Sequence, residues 1–215
     1  SQSGWIGICY EQLGQYEKAI KYYQKALDIG RKLVKKAQIA VYLNKIGKAY
    51  KSLGQTNKAI EYLKQALEFH KKLKQDSNIA SNHTDIARIY QTLGTYDEAI
   101  KHYQLANRTN KKLGKEHYVT VNLSNIGRVY YIWSQYHKAI DYYQRALVIN
   151  KKLRKEHSIA IQFNNIGLVY ESMGQFDKAI KYYQQALEIN KKLGKEKHIA
   201  INLKNIGVVY RSWGK

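Results

Sequence analysis

Residues 164–189 read NNIGLVYESMGQFDKAIKYYQQALEI, and this stretch decides the fold. Ahead of Gly174, the apolar residues Ile159, Phe163, Ile166, Leu168, Val169 and Tyr170 fall mostly three or four apart, the period of an amphipathic helix. Gly174 suits the left-handed residue that closes such a helix. Beyond it, Ala179, Ile180, Tyr183, Ala186, Leu187 and Leu193 form a second helical stripe, interrupted by Asn190. Gly194 ends that stripe, and the next unit begins near Lys197. The spacing predicts a helix over 156–173, a tight turn and an antiparallel helix over 176–193. No stretch alternates as a strand would, and the absence of proline lets the helices run without kinks.

The same pattern returns every forty residues. Gly7, Gly47, Gly127, Gly167 and Gly207 recur at that period, with Ala87 in the remaining place. Each is followed three residues later by a tyrosine: Tyr10, Tyr50, Tyr90, Tyr130, Tyr170 and Tyr210. A period of this size marks stacked repeats, each touching only its neighbours. Gly167 and Ala179 let the two backbones of a hairpin approach closely, and Ala186 does the same for the following unit. The tyrosines fill the remaining space, and each buried hydroxyl requires a partner. Twenty tyrosines at core spacing read as packing rather than as a platform for stacking bases.

Composition narrows the function classes. Hydrophobic residues make up 44% of the 215, ordinary for a folded chain. No apolar run reaches the roughly 20 residues that span a membrane, and no signal-peptide pattern opens the chain. Cys9 is the sole cysteine; on an apolar helix face it reads as a buried small hydrophobe, and it fits a cytoplasmic location. Nucleotide-binding glycine loops, H-E-x-x-H and C-x-x-C are all missing, so neither an enzyme nor a cofactor is expected. His117 and His157 occupy equivalent places in neighbouring repeats, but no acidic or thiol ligand accompanies them and solvated histidines are expected. Asp85 and Glu171 lie on first helices too far apart in the stack to form a carboxylate pair. The formal net charge of +21 favours acidic peptides, nucleic acid or anionic lipid as partners.

Asn165-Ile166-Gly167, Val169-Tyr170, Gly174, Phe176, Ala179-Ile180, Tyr183 and Ala186-Leu187 together resemble the tetratricopeptide repeat, in order and in all six registers. The forty-residue period and the missing proline are similar to the long-helix subclass of Pins/LGN-type polarity adaptors, Rap-type receptors and kinesin light chains. The resemblance implies an all-α fold, an α-solenoid in which helix-turn-helix units stack as a right-handed superhelix. Five hairpins are expected at about 1–35, 36–75, 76–115, 116–155 and 156–195, followed by an unpaired helix at 196–213. An apolar face on that helix, from Ile199, Leu203, Ile206, Val209 and Tyr210, suggests a piece of a longer array and end-to-end self-association.

The resemblance also implies a peptide-binding groove lined by the outward residues of the first helices. Those are Asn44, Lys45, Lys48 and Lys51, then Asp85, Arg88 and Gln91, then Asn125, Arg128 and Tyr131. Asn164, Asn165, Leu168 and Glu171 follow, and Lys204, Asn205 and Arg211 close the series. Lys48, Arg88 and Arg128 share one register and read as a basic ladder. Charges at packed-helix spacing match a ligand with Asp or Glu about every third residue. The expected function is a protein-interaction scaffold holding an acidic-to-mixed peptide. The alternative is a nucleic-acid-binding helical repeat that uses the lysine doublets ending each second helix, although cations there also oppose the helix dipole.

Overall fold

The computed structural model describes residues 2–214, and among these it contains eleven helices and no strand. The first six are α1 (Gln2–Gln12), α2 (Tyr16–Lys32), α3 (Lys36–Ser52), α4 (Thr56–Lys72), α5 (Asp76–Thr92) and α6 (Tyr96–Lys112). Then come α7 (Glu116–Ile132), α8 (Tyr136–Lys152), α9 (Glu156–Ser172), α10 (Phe176–Lys192) and α11 (Glu196–Trp213). The chain forms two compact units, Ser1–Gly114 with α1 to α6 and Lys115–Lys215 with α7 to α11.

One turn serves nearly every junction. After α2, the Lys35 N–H donates to Gly30 O at 2.9 Å and the Val34 N–H to Arg31 O at 3.1 Å. That pair of bonds is the Schellman arrangement, which satisfies carbonyls the helix leaves orphaned. It requires a left-handed residue, and Gly174 supplies it at φ 69°. Glycine is not obligatory there, however: Val34 (φ 51°), Lys74 (φ 52°), Ser134 (φ 58°) and Arg154 (φ 52°) occupy the same place. Val34 is the costliest of these, because a β-branched side chain crowds the backbone at positive φ. It is 71% exposed, so it gains little by burial. Val34→Gly is therefore expected to stabilise the first unit by about 1 kcal/mol, read as a higher melting temperature.

The hairpin core rests on one small-to-large contact, repeated. A Cβ at Gly7 would meet the Tyr23 ring at 2.6 Å, one at Gly127 the Tyr143 ring at 2.8 Å, and one at Gly167 the Tyr183 ring at 2.8 Å. At Gly47 the opposing residue is Leu63, also at 2.8 Å. Tyr23, Tyr103 and Tyr183 are fully buried, and burial of such a side chain contributes about 1.5–3 kcal/mol. Their hydroxyls donate back to the first helix of the same hairpin: Tyr23 to Glu11, Tyr103 to Gln91 at 3.2 Å and Tyr183 to Glu171 at 2.6 Å. Burial first, and the Glu171 carboxylate second, push the Tyr183 phenol well above its ordinary range, so it stays a donor.

A second pair of tyrosines closes four of the five hairpins nearer the surface. Tyr10–Tyr22, Tyr50–Tyr62 and Tyr130–Tyr142 have ring centroids 5.4 Å apart, and Tyr170–Tyr182 5.5 Å. Lys18, Lys58, Lys138 and Lys178 lie over Tyr10, Tyr50, Tyr130 and Tyr170 at 5.3–5.4 Å, adding cation–π attraction. These ring faces are already occupied, as the packing reading of the tyrosines requires.

Two expectations about the ends need correcting. Cys9 is exposed rather than buried. Its counterparts Ala49, Ile89, Val169 and Val209 are buried, but among the described residues no helix precedes α1 to cover it. On α11, Val209 is fully buried rather than open, because it packs with Ala179, Ile180 and Tyr183 of α10. Leu203 (52%) and Tyr210 (40%) are exposed as expected, and nothing lies within 4 Å of a Cβ built on Gly207.

Candidate binding surface on the first helices

Helical spacing places residues 41, 44, 45, 48 and 51 of α3 on one face, together with their counterparts forty positions on. In the first unit an open cavity of about 360 Å³ lies between α3 and α5. Its lining includes Val41, Asn44, Lys45 and Lys48 from α3, Ser81 and Asn82 from α5, Glu11 from α1 and His70 from α4. The amides here are tied down: Asn44 Nδ2 donates to Asn82 Oδ1 at 2.7 Å, and Asn82 Nδ2 to Leu63 O at 3.2 Å.

The charges are more organised than a bare ladder. Lys45 Nζ sits 3.1 Å from Glu11 Oε2, and Lys48 Nζ 3.1 Å from Asp85 Oδ2. Lys48 is thus an ion-paired side chain bridging α3 to α5, not a free cation. Lys51 is half-buried and feels Arg88, Asp85 and Lys48; burial first, then the Arg88 guanidinium, hold its ammonium below the usual lysine range. Three cations therefore gather around one carboxylate, and the local excess is positive. Arg88 is exposed. Gln91 serves another purpose than the groove role expected of it, because its side-chain oxygen accepts the hydroxyl of buried Tyr103. Arg128 belongs to the second unit, so the register shared with Lys48 and Arg88 is a property of the sequence.

In the second unit the same face carries Asn125, Arg128 and Tyr131 on α7, Asn164, Asn165 and Leu168 on α9, and Lys204, Asn205 and Arg211 on α11. Asn202 and Asn205 both donate to Asn164 Oδ1, at 3.0 and 3.1 Å, and Asn190 Nδ2 donates to Asn202 Oδ1 at 2.8 Å. Ser124 bonds Gln162 at 3.0 Å, and the Tyr131 and Ser172 hydroxyls lie 3.0 Å apart. A small cavity of about 100 Å³ between α9 and α11 is lined by Ile161, Asn164, Asn190, His198, Ile201 and Asn202, with Ala160.

Sequence reasoning missed an apolar register on these faces. In the second unit Val121 (41%), Ile161 (38%) and Ile201 (40%) are large, exposed and one period apart; in the first unit Val41 (45%) holds the same register, with Ser81 in that place on α5. The signal was available, since a β-branched residue recurs at a solvent-facing register in four repeats. Leu168, 36% exposed, extends the apolar ground on α9. His157 has His198 as its neighbour, with ring centroids 4.8 Å apart, while His117 packs against Tyr118. Among the described residues no three His, Cys, Asp or Glu side chains gather as a metal site would need. Among the described residues no helix is long and apolar enough to cross a membrane.

Antiparallel helix pairs of constant register, with a fixed small-to-large core and a variable outer face, define a helical-repeat interaction module. A tetratricopeptide repeat family model matches residues 2–72 and 78–152, and a second tetratricopeptide repeat model matches 160–193. The chain belongs to the tetratricopeptide repeat family. No curated protein sequence matches it.

Solved structures share its fold. Aspartyl phosphate phosphatase F from Bacillus subtilis is 23% identical, with a TM-score of 0.81 over 97% of this chain and 54% of its own. A signal transduction ATPase with a tetratricopeptide repeat sensor from Pyrococcus horikoshii gives 19% and 0.84 over 99% of this chain and 33% of its own. A Podosopora anserina putative kinesin light chain with nearly identical repeats gives 21% and 0.75, covering 89% of this chain and 95% of that one. The chain spans about half the length of the phosphatase and a third of the ATPase.

Proposed function

We propose that the protein is a non-catalytic scaffold whose first-helix faces each hold an extended segment of a protein partner. The observation that carries this reading is the composition of the faces: bound amides, an exposed apolar residue at one register of four first helices, and in the first unit a net positive cluster. Amides such as Asn44 and Asn164, pre-ordered by neighbouring helices, suit a peptide backbone whatever its sequence. The apolar register suits every second or third side chain of such a segment. Lys51 and Arg88 suit a carboxylate, each charge-assisted bond contributing about 1.5–3 kcal/mol when partly buried.

The rival use of the basic surface for nucleic acid draws on the +21 charge. Several doublet lysines are committed to ion pairs, Lys192 with Glu156 at 2.8 Å, Lys71 with Glu68 at 2.8 Å and Lys152 with Glu116 at 3.7 Å. A titration compares three probes: a peptide alternating Ile or Leu with Asp or Glu, its all-polar acidic counterpart, and a single-stranded oligonucleotide. The mixed peptide is expected to bind tightest and to keep most of its affinity between 50 and 200 mM salt. Tighter oligonucleotide binding, lost by roughly a thousandfold over that salt range, would replace the peptide reading with the nucleic-acid one.

A further inference from the structure

The third hairpin breaks a packing rule that its neighbours keep. Where the first helix crosses the second, the second, fourth and fifth hairpins place Leu43 with Tyr62, Leu123 with Tyr142 and Phe163 with Tyr182. In the third hairpin those two registers hold His83 on α5 and His102 on α6. The Nδ1 atoms of the two rings are 3.0 Å apart and the ring centroids 5.1 Å. His83 is 8% exposed, and the Tyr90 ring lies against His102 at 5.5 Å. We propose that His83 and His102 form an acid-sensitive latch that joins α5 to α6 at neutral pH and releases them as the pair takes up protons.

The chemistry follows from the short N···N separation. One ring must donate its Nδ1–H while the other offers an Nδ1 lone pair, so two neutral imidazoles of opposite tautomer fit each other. With both rings protonated, both Nδ1 atoms carry hydrogens and the contact becomes repulsive. The surroundings add to this. Lys64 and Lys71 of α4 and Lys101 of α6 oppose a charge on the pair, and Glu98, one turn before His102, alone favours it. Burial first, then His102 and Lys71, push His83 down to about 4, and burial first pushes His102 down as well.

The sign of the effect is fixed by those directions. Both rings titrate lower in the folded chain than the ordinary histidine value of 6.5, so between 6.5 and about 4 the unfolded chain binds more protons. The latch is fully made above about pH 6.5 and is lost as pH falls through that window. In a stack of repeats the loosening stays local. It reaches the binding face through α5, which carries Asp85, the partner of Lys48 on α3.

The test uses the whole chain beside His83→Leu/His102→Tyr, which restores the residue pair used in the second and fourth hairpins. Between pH 7.5 and 5.0 the original chain is expected to lose more than about 5 °C of melting temperature beyond the loss in the double variant. Hydrogen exchange at pH 5.0 is expected to quicken in α5 and α6 before other helices. Equal losses in the two proteins, or exchange that quickens first elsewhere, would overturn the latch. A histidine NMR titration of the original chain decides the matter if the double variant folds poorly. Resonances of His83 and His102 that titrate at the ordinary midpoint would overturn it, and depressed midpoints coinciding with opening of α5 and α6 support it.

Discussion

Gly167→Val is expected to lower the stability of the second unit by about 3 kcal/mol, the upper end for overpacking a filled core. A Cβ at this position would stand 2.8 Å from two atoms of the Tyr183 ring and 3.3 Å from Ala179 O. The ring has no route away, because it is fully buried and its hydroxyl is held by Glu171. Moving the ring means parting α9 from α10, which loosens Ala179 and Ile180 with it. Gly207→Ala is the matched control, since nothing lies within 4 Å of a Cβ there and alanine is the better helix former by about 1 kcal/mol. Packing therefore predicts opposite signs at two glycines of identical register. A thermal melt should show Gly167→Val lower by more than about 10 °C and Gly207→Ala unchanged or higher. Destabilisation of similar size at both positions would mean that helix geometry, not the tyrosine seat, selects glycine.

Legibility in the sequence follows from which features repeat. Helices, turns and the close approach at Gly167 were readable because each is dictated locally and then copied, so one unit interprets the others; the sequence paired Gly167 with Ala179, and the Tyr183 ring lies nearer still. The left-handed turn residue was readable as glycine only where glycine is present. Val34 and Arg154 show that the two flanking helices impose the conformation on other residues. Features that depend on one repeat meeting the next were not readable in the same way. Lys48 and Asp85 are 37 positions apart and sit at different registers, so nothing in the period announces their ion pair. Cys9 shares the register of buried residues, and only the absence of a described helix before α1 exposes it. His83 and His102 were legible in principle, His102 as a departure from the tyrosine every other hairpin keeps and His83 from the large apolar residue of the second, fourth and fifth.

Under the proposed scaffold function, the Lys48–Asp85 ion pair decides which cations would carry ligand binding, and so which substitution should have the largest effect. Lys45 and Lys48 already have carboxylate partners, so a ligand carboxylate gains little from them without displacing Glu11 or Asp85. The Arg88 charge opposes that of Lys51, Asp85 is already engaged by Lys48, and burial disfavours the Lys51 charge most of all. An incoming carboxylate relieves that repulsion, which makes this pair the place where an acidic side chain gains most. Lys51→Gln/Arg88→Gln is expected to weaken the mixed apolar-acidic peptide at least 100-fold, as loss of two charge-assisted bonds implies. Stability should change by less than about 0.5 kcal/mol for exposed Arg88, and the Lys48–Asp85 bridge should persist. Lys45→Gln/Lys48→Gln removes the same formal charge from the face and should cost the peptide less than tenfold. Calorimetric titration of both variants at one salt concentration separates local chemistry from overall charge. Equal losses in the two would leave only the long-range field of a basic protein, and the assignment of a carboxylate to Lys51 and Arg88 would be wrong.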